Sequence, residues 1–391
     1  MKKNLFGWLA MATMLVGTGC SSDDVVNDYS PENAIQFGTY VGRDAQGRAS
    51  VIDDAALQGK GFGVFAYHTN GNYENTAKPN FMYNQRVEFK SSAWEYSPVK
   101  YWPNNTADRV SFFAYAPYVQ TDATDNFIFS ANTAQGDPTI TYTVNNTVKS
   151  QEDLLWAVDA TDGLPFVSEN KQSITGNINF QFKHALSRIG FKVQAMIDKV
   201  NQNNTGDLDN AADASESINE SETTIAVNKV ELIGKFHTSG DLNLNNTTTN
   251  VPLWNPTTPT SDRTFELDYN STAASSNFVN TVAEKVTTVE QVLNAADSYI
   301  MVIPQTFSSS EKIKIKVTYT VTTNDTNLEG ESSIVTNVIE SAPFEFGFVA
   351  GNAYNFVLHL GLTSVKLSAT VADWNTVDGV DYAVNVPINF N

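Results

Sequence analysis

The chain closes on VDGVDYAVNVPINFN (377–391), and reading that stretch by parity decides the fold class. Val380, Tyr382, Val384, Val386, Ile388 and Phe390 are apolar or aromatic, and Asp381, Ala383, Asn385, Pro387 and Asn389 fall between them. Strict alternation is the pattern of a β-strand with one buried face. Burying six such side chains contributes on the order of 10–15 kcal/mol before the entropy of ordering is subtracted. Left uncovered, a strand of this kind invites edge-to-edge aggregation, so its apolar face needs either its own domain or another chain. Pro387 suits an edge or inserted strand whose missing N–H faces away from the ladder.

Two kinds of cover are open. The preceding VKLSATV (365–371) also alternates, with Val365, Leu367, Ala369 and Val371 on one face, and Asp378-Gly379 is a good type I′ turn pair. That favours a hairpin formed in cis, although Trp374, Asn375, Thr376 and Val377 supply more linker than a two-residue hairpin needs. The other cover is strand addition in trans, with main-chain bonds giving affinity and alternate side chains filling pockets. Contacts of that head-to-tail kind build open filaments when they do not close into rings.

The same alternation runs through the whole chain. AIQFGTYV (34–41) puts Ile35, Phe37, Thr39 and Val41 on one face of a first strand. FGVFAYH, VSFFAYAPY, TITYTV, NINFQF, IGFKVQAMI, KVELIGKF, YIMVIP, KIKIKVTYTV and YNFVLHL continue the series, punctuated by Asn, Gly, Asp, Ser and Pro. The expected class is all-β, built of sandwiches. Short helices are expected only at Val51–Leu57 and Val286–Ala296. With 391 residues, two domains are expected, breaking near Ser173–Gly176 into segments 34–175 and 176–391. The polar, acidic stretch 201–222 reads as a long surface loop. Its Asp207, Asp209 and Asp213 lack the Gly and closing Glu of an EF-hand.

Composition narrows the function. Hydrophobic residues make up 41% and charged residues 17%, enough apolar surface to fill real cores. A net charge of −19 argues against nucleic acid and against electrostatic binding to anionic membranes. The four histidines, His68, His184, His237 and His359, lie in separate strands, with no HExxH pattern and no Cys pair. No GxSxG elbow or P-loop occurs. No catalytic residue, metal site or cofactor is therefore assigned. His184, in QFKHALSRI, is expected to pack or hydrogen-bond at the domain junction, and Asp153 reads as a cap or turn residue. Trp94, Tyr96, Tyr101 and Trp102 suit a sandwich core and turn. Stacked on sugar rings, they would instead serve a glycan-binding surface protein.

The beginning of the chain sets the expected compartment. Lys2 and Lys3 precede an apolar run from Leu5 to Val16, then Gly17, Thr18, Gly19 and Cys20. The run is too short for a membrane span and reads as a secretory signal, 1–19. Cys20 is the sole cysteine, which excludes an intramolecular disulfide. Its setting resembles a bacterial lipobox, with Gly17 where that pattern usually has Leu. The resemblance implies lipid attachment at Cys20 and an outer-membrane, cell-surface location. The acidic linker 20–33, with SSDDVVND, resembles a surface-export signal of Bacteroides-like lipoproteins. Farther on, GRDAQGR places Arg43 and Arg48 in a polar loop directly after the first strand, where proteolysis concentrates.

Longer phrases carry a family resemblance. MYNQRVEFKSSAWEYSPVKYWPNNTADRVSFFAYAPY, FKHALSRIGFKV, YIMVIPQTF and GFVAGNAYNFVLHLGLTSVKLSATVADWN, in that order, resemble the fimbrillin family of Bacteroidales, nearest the Mfa-like fimbrillins of type V pili. The resemblance implies two tandem transthyretin-like β-sandwiches and a non-enzymatic, adhesive or structural subunit. It implies cutting by an arginine-specific protease, here at Arg43 with Arg48 second. The first strand (Ile35, Phe37, Val41) then leaves, and the final strand of another subunit (Val380–Phe390) fills the vacated groove. Implied partners are other fimbrial subunits, the outer membrane through Cys20, and a host protein or glycan. An anchor or tip subunit that keeps its first strand is the alternative within this class.

Overall fold

A computed structural model describes residues 33–41, 52–120, 126–174, 176–195, 223–246, 251–269, 278–280, 291–292, 299–324, 327–360, 365–373 and 382–389. The architecture is all-β, as the alternation predicts, with α1 (Asp54–Lys60) the one α-helix among these residues. The strands of the first half are β1 (Phe37–Val41), β2 (Phe62–Asn70), β3 (Met82–Lys90), β4 (Ala93–Glu95), β5 (Asp108–Ala116), β6 (Phe127–Phe129), β7 (Thr139–Thr143), β8 (Leu155–Asp159), β9 (Phe166–Glu169) and β10 (Ile178–His184). There follow β11 (Ser187–Ala195), β12 (Thr223–Gly234), β13 (Ser239–Asn243), β14 (Leu253–Pro256), β15 (Arg263–Asp268), β16 (Phe278–Asn280), β17 (Gln291–Val292) and β18 (Ile300–Val302). The last are β19 (Gln305–Phe307), β20 (Lys314–Asn324), β21 (Ser332–Glu340), β22 (Phe346–Phe348), β23 (Asn352–Leu360), β24 (Val365–Asp373) and β25 (Tyr382–Asn389).

The first sheet runs β1-β10-β8-β5-β2-β3-β4, with β9 on β5. Its central strands are near-continuous apolar runs because both faces are covered. On β5, Phe112 and Ala114 join one buried cluster, and Phe113 and Tyr115 join another. Strand β2 divides likewise, Phe62, Val64 and Ala66 against Phe65 and Tyr67. The first cluster includes Leu57 of α1 and Trp102. The second includes Phe127, Phe129, Ile140 and Tyr142 of the sheet β14-β13-β7-β6. Strand β20 behaves differently. Ile315, Val317 and Tyr319 are buried, and the residues between them are half-exposed, so its alternation is clean. It lies in β15-β12-β20-β21, with β16 on β12, which shares a buried cluster with β17-β11-β23-β24-β25.

Two sequence boundaries shift. The break expected at residue 175 cuts the first sheet, because β10 pairs with both β1 and β8, and the chain changes sheets at Ala185–Leu186. The halves also share a sheet, since β7 pairs with β13. No polar punctuation marks this crossover: Ala185 and Leu186 are themselves fully buried. The helix expected at Val51–Leu57 is α1, shifted toward Lys60, because the Asp53 side chain accepts from the Ala56 N–H at 2.7 Å and fixes the start. Of the helix expected at Val286–Ala296, the described residues Gln291 and Val292 are extended and pair with β11. The loop expected at 201–222 lies outside the described residues.

Candidate functional site

Strand β1 lies at one end of the first sheet and pairs in parallel with β10, from Phe37↔Ile178 to Val41↔Phe182. Ile35, Phe37 and Val41 are buried, each at most 3% exposed, whereas Thr39, on the same predicted face, is half-exposed. The Phe37 ring stacks on Phe180 at 5.6 Å and meets Tyr96, Phe112 and Phe62 at centroid distances of 5.2, 6.0 and 6.2 Å. Burying these three side chains contributes roughly 5–9 kcal/mol gross. A Cβ at Gly38 would come within 2.2 Å of Asn179 Oδ1, so a side chain there has to displace the exposed Asn179 side chain.

The side of the strand facing away from β10 is tied at both ends. Ala34 bridges Tyr101 in antiparallel fashion, the Ile35 N–H donates to Lys100 O at 2.9 Å, and the Trp102 N–H donates to Asn33 O at 2.9 Å. The Tyr96 hydroxyl donates to Ile35 O at 2.8 Å. Lys171 Nζ contacts Asn33 Oδ1. At the far end the Val41 N–H donates to Asp54 Oδ1 at 2.8 Å. Burial pushes the Tyr96 phenol up to about 12; the Lys100 backbone hydrogen bond opposes this and neighbouring Tyr101 adds to it.

A second anchor lies at Ile52, after the segment of sequence that contains Arg43 and Arg48. Asp153 Oδ2 accepts from the Ile52 N–H at 3.1 Å and from His184 Nδ1 at 2.8 Å. Both side chains are almost wholly buried. A carboxylate only accepts, so His184 presents Nδ1–H. His184 ends β10, the neighbour of β1, and thus sits at the crossover as expected. Asp153 is no cap. It is a buried partner, and its contacts span 31 and 101 residues, distances that local pattern cannot reveal.

The closing segment forms β25, antiparallel to β24 at the end of its sheet. Val371 pairs with Tyr382 and Ala369 with Val384, then the register breaks before Leu367 pairs with Ile388. Tyr382, Val384, Val386 and Ile388 therefore lie on a strand paired in cis. Val380, Phe390, Cys20, Arg43 and Arg48 lie outside the described residues, as do Trp374 and the Asp378-Gly379 turn.

The remaining sequence candidates have structural roles. Trp102 is buried; Trp94 is half-buried and packs on Phe62 and Phe89 at centroid distances of 4.9 and 5.2 Å. His68 contacts Asp108 at 3.0 Å, His237 Nδ1 lies 2.7 Å from Thr257 O, and His359 Nε2 lies 3.0 Å from Ser368 Oγ. Sequence reasoning missed Tyr96, Asp54 and Lys100 as clamps on the first strand. The signal available is the aromatic-rich phrase WEYSPVKYW (94–102), which reads as core and turn or as a sugar-stacking surface and does not name Ile35 as a partner.

Known proteins resemble this chain in sequence and in fold. The family described as fimbrillin-like matches residues 48–374. The chain is 28% identical to fimbrium subunit Fim1C of Phocaeicola vulgatus over 405 aligned residues, 97% of this chain and 98% of that protein. The crystal structure of a fimbrial protein from Bacteroides vulgatus ATCC 8482 superposes with a TM-score of 0.61 at 20% identity, over 88% of this chain and 99% of that one, which shows a shared fold. By the extent of the family match, which covers residues 48–374, the chain belongs to the fimbrillin-like family.

Proposed function

We propose that this protein is a building subunit of a surface fimbria, assembled by exchange of strands between copies. The single observation that carries the reading is the position of β1. It is a leading strand at a sheet end, laddered to β10 alone, and its side chains plug the first core. Cutting after Arg43 leaves it attached only by non-covalent contacts. Its departure uncovers the edge of β10 and the aromatic pocket of Phe62, Tyr96, Phe112 and Phe180. Residues 380–390 of another copy, released from β24, supply alternate apolar side chains to that slot. Repetition of the contact builds an open filament. Export proceeds as a lipoprotein through Cys20 to the outer membrane, and the lipid leaves with the first strand.

Intact mass of the fibre-incorporated subunit tests this. The expected start is Asp44, and Arg43→Ala is expected to block incorporation while leaving a folded monomer. A start at Ala49 moves the cut to Arg48. A lipidated start at Cys20 within the fibre identifies an anchor that keeps β1 and refutes exchange for this chain.

A further inference from the structure

We infer that the gap between β1 and β4 is where an incoming strand of a second copy first docks, while β1 is still in place. The inference rests on the strand-exchange reading above. Strands β1 and β4 are the two ends of the first sheet, brought side by side without pairing. The Ile178 N–H donates to Gln36 O, so in this parallel ladder Gln36, Gly38 and Tyr40 turn their peptide groups to β10. Phe37, Thr39 and Val41 turn theirs away, as the Val41 bond to Asp54 shows. On that side the Ile35 N–H and carbonyl and the Val41 N–H are bonded. Among the described residues, the outward peptide groups of Phe37 and Thr39 have no partner.

They border a cleft of about 470 Å³ walled on the far side by Phe89, Ala93 and Trp94. Donors and acceptors repeating every second residue match another extended backbone. The opening spans about three residues, roughly 10 Å, so it holds the leading part of a strand and not its full length. Segment 380–391 fits as the occupant. It alternates, and its ladder on β24 is interrupted between the Ala369–Val384 and Leu367–Ile388 pairs, so fewer main-chain bonds hold it in place than a continuous register would supply. Docked beside β1, it stands ready to replace β1 from the Phe37 end outward once the chain is cut.

The test uses the full chain carrying Arg43→Ala and Arg48→Ala, so that β1 stays, and a fluorescently labelled synthetic peptide of residues 380–391. Anisotropy is expected to show saturable binding that a scrambled peptide lacks. Thr39→Pro removes an outward N–H and leaves the Gly38 and Tyr40 bonds to β10, so binding should weaken about tenfold with melting unchanged. Ala93→Arg, which fills the cleft from the opposite wall, should weaken it as much. No binding while β1 is present, or equal binding to both variants, overturns the inference. Binding confined to protein whose first strand has been cut away overturns the docking gap and leaves strand exchange standing. Failure of the cut protein either to bind the peptide or to polymerise overturns strand exchange itself.

Discussion

The leading strand β1 and the closing strand β25 both sit at the end of a sheet, yet they are held in opposite ways. Strand β1 is parallel to its one neighbour in an unbroken register, with Phe37 sunk among four aromatic rings and both flanks clamped. Strand β25 is the antiparallel second arm of a hairpin, and its ladder breaks partway. Under the proposed strand exchange β1 is the plug, deep in a core but local to one edge, and β25 is the donor, strongly apolar in pattern with an interrupted ladder. Each can be attacked separately.

The largest expected effect comes from the plug. Phe37→Ala removes a buried ring from a site lined by rigid aromatics that cannot collapse, and should destabilise the uncut chain by about 3–5 kcal/mol in denaturant unfolding. The same substitution should leave the assembled fibre untouched, because the first strand is then gone. A fibre weakened to the same degree would mean that β1 is retained. Of the same size is the effect at the anchor behind it. Asp153→Ala strands His184 and the Ile52 N–H in a buried setting and should cost about 3–5 kcal/mol in both cut and uncut protein, because neither group leaves with the strand.

A smaller effect isolates the clamp. Tyr96→Phe removes the donor to Ile35 O and should lower stability by about 0.5–1.5 kcal/mol. The pH dependence has a definite sign. Burial favours the protonated phenol, raising it from 10.0 to about 12, so its contribution is complete below pH 10.0 and is lost as pH climbs toward 12. Stopped-flow release of β1 from cut protein should therefore accelerate more steeply over that window in the parent than in Tyr96→Phe. Identical profiles would remove Tyr96 from the clamp.

Much of this was legible from residues alone, and the losses have a physical pattern. Alternation located the strands, because period two is set by the pleat whatever the partner. Ile35, Phe37 and Val41 could be assigned to one buried face for that reason. Partners were not legible. Nothing in AIQFGTYV says that its neighbour is NINFQFKH, 141 positions later in register, or that the pairing is parallel. The boundary expected near 175 falls between two strands of one sheet, close to the polar turn Asn170–Ser173, whereas the chain changes sheets at Ala185–Leu186, which are apolar and buried. Asp153 was misread because a buried carboxylate and a capping one look alike until a distant histidine arrives.

The smallest expected effect tests the donor. In β25 the register passes from Val384 opposite Ala369 to Ile388 opposite Leu367, so Asn385, Val386 and Pro387 face Ser368 alone. Pro387 therefore sits in a bulge, where its missing N–H breaks no ladder. Pro387→Ala should change monomer stability by less than about 0.5 kcal/mol. The slot of β1 has no such break: its register on β10 is continuous over five pairs. A strand that fills it must flatten, and the N–H regained at 387 then has a ladder to join. The expected result is an unchanged monomer melt and a fibre more resistant to denaturant by about 0.5–1.5 kcal/mol per subunit. A fibre as unmoved as the monomer would show that the bulge travels with the strand, and that β10 accepts a donor shaped unlike the plug it lost.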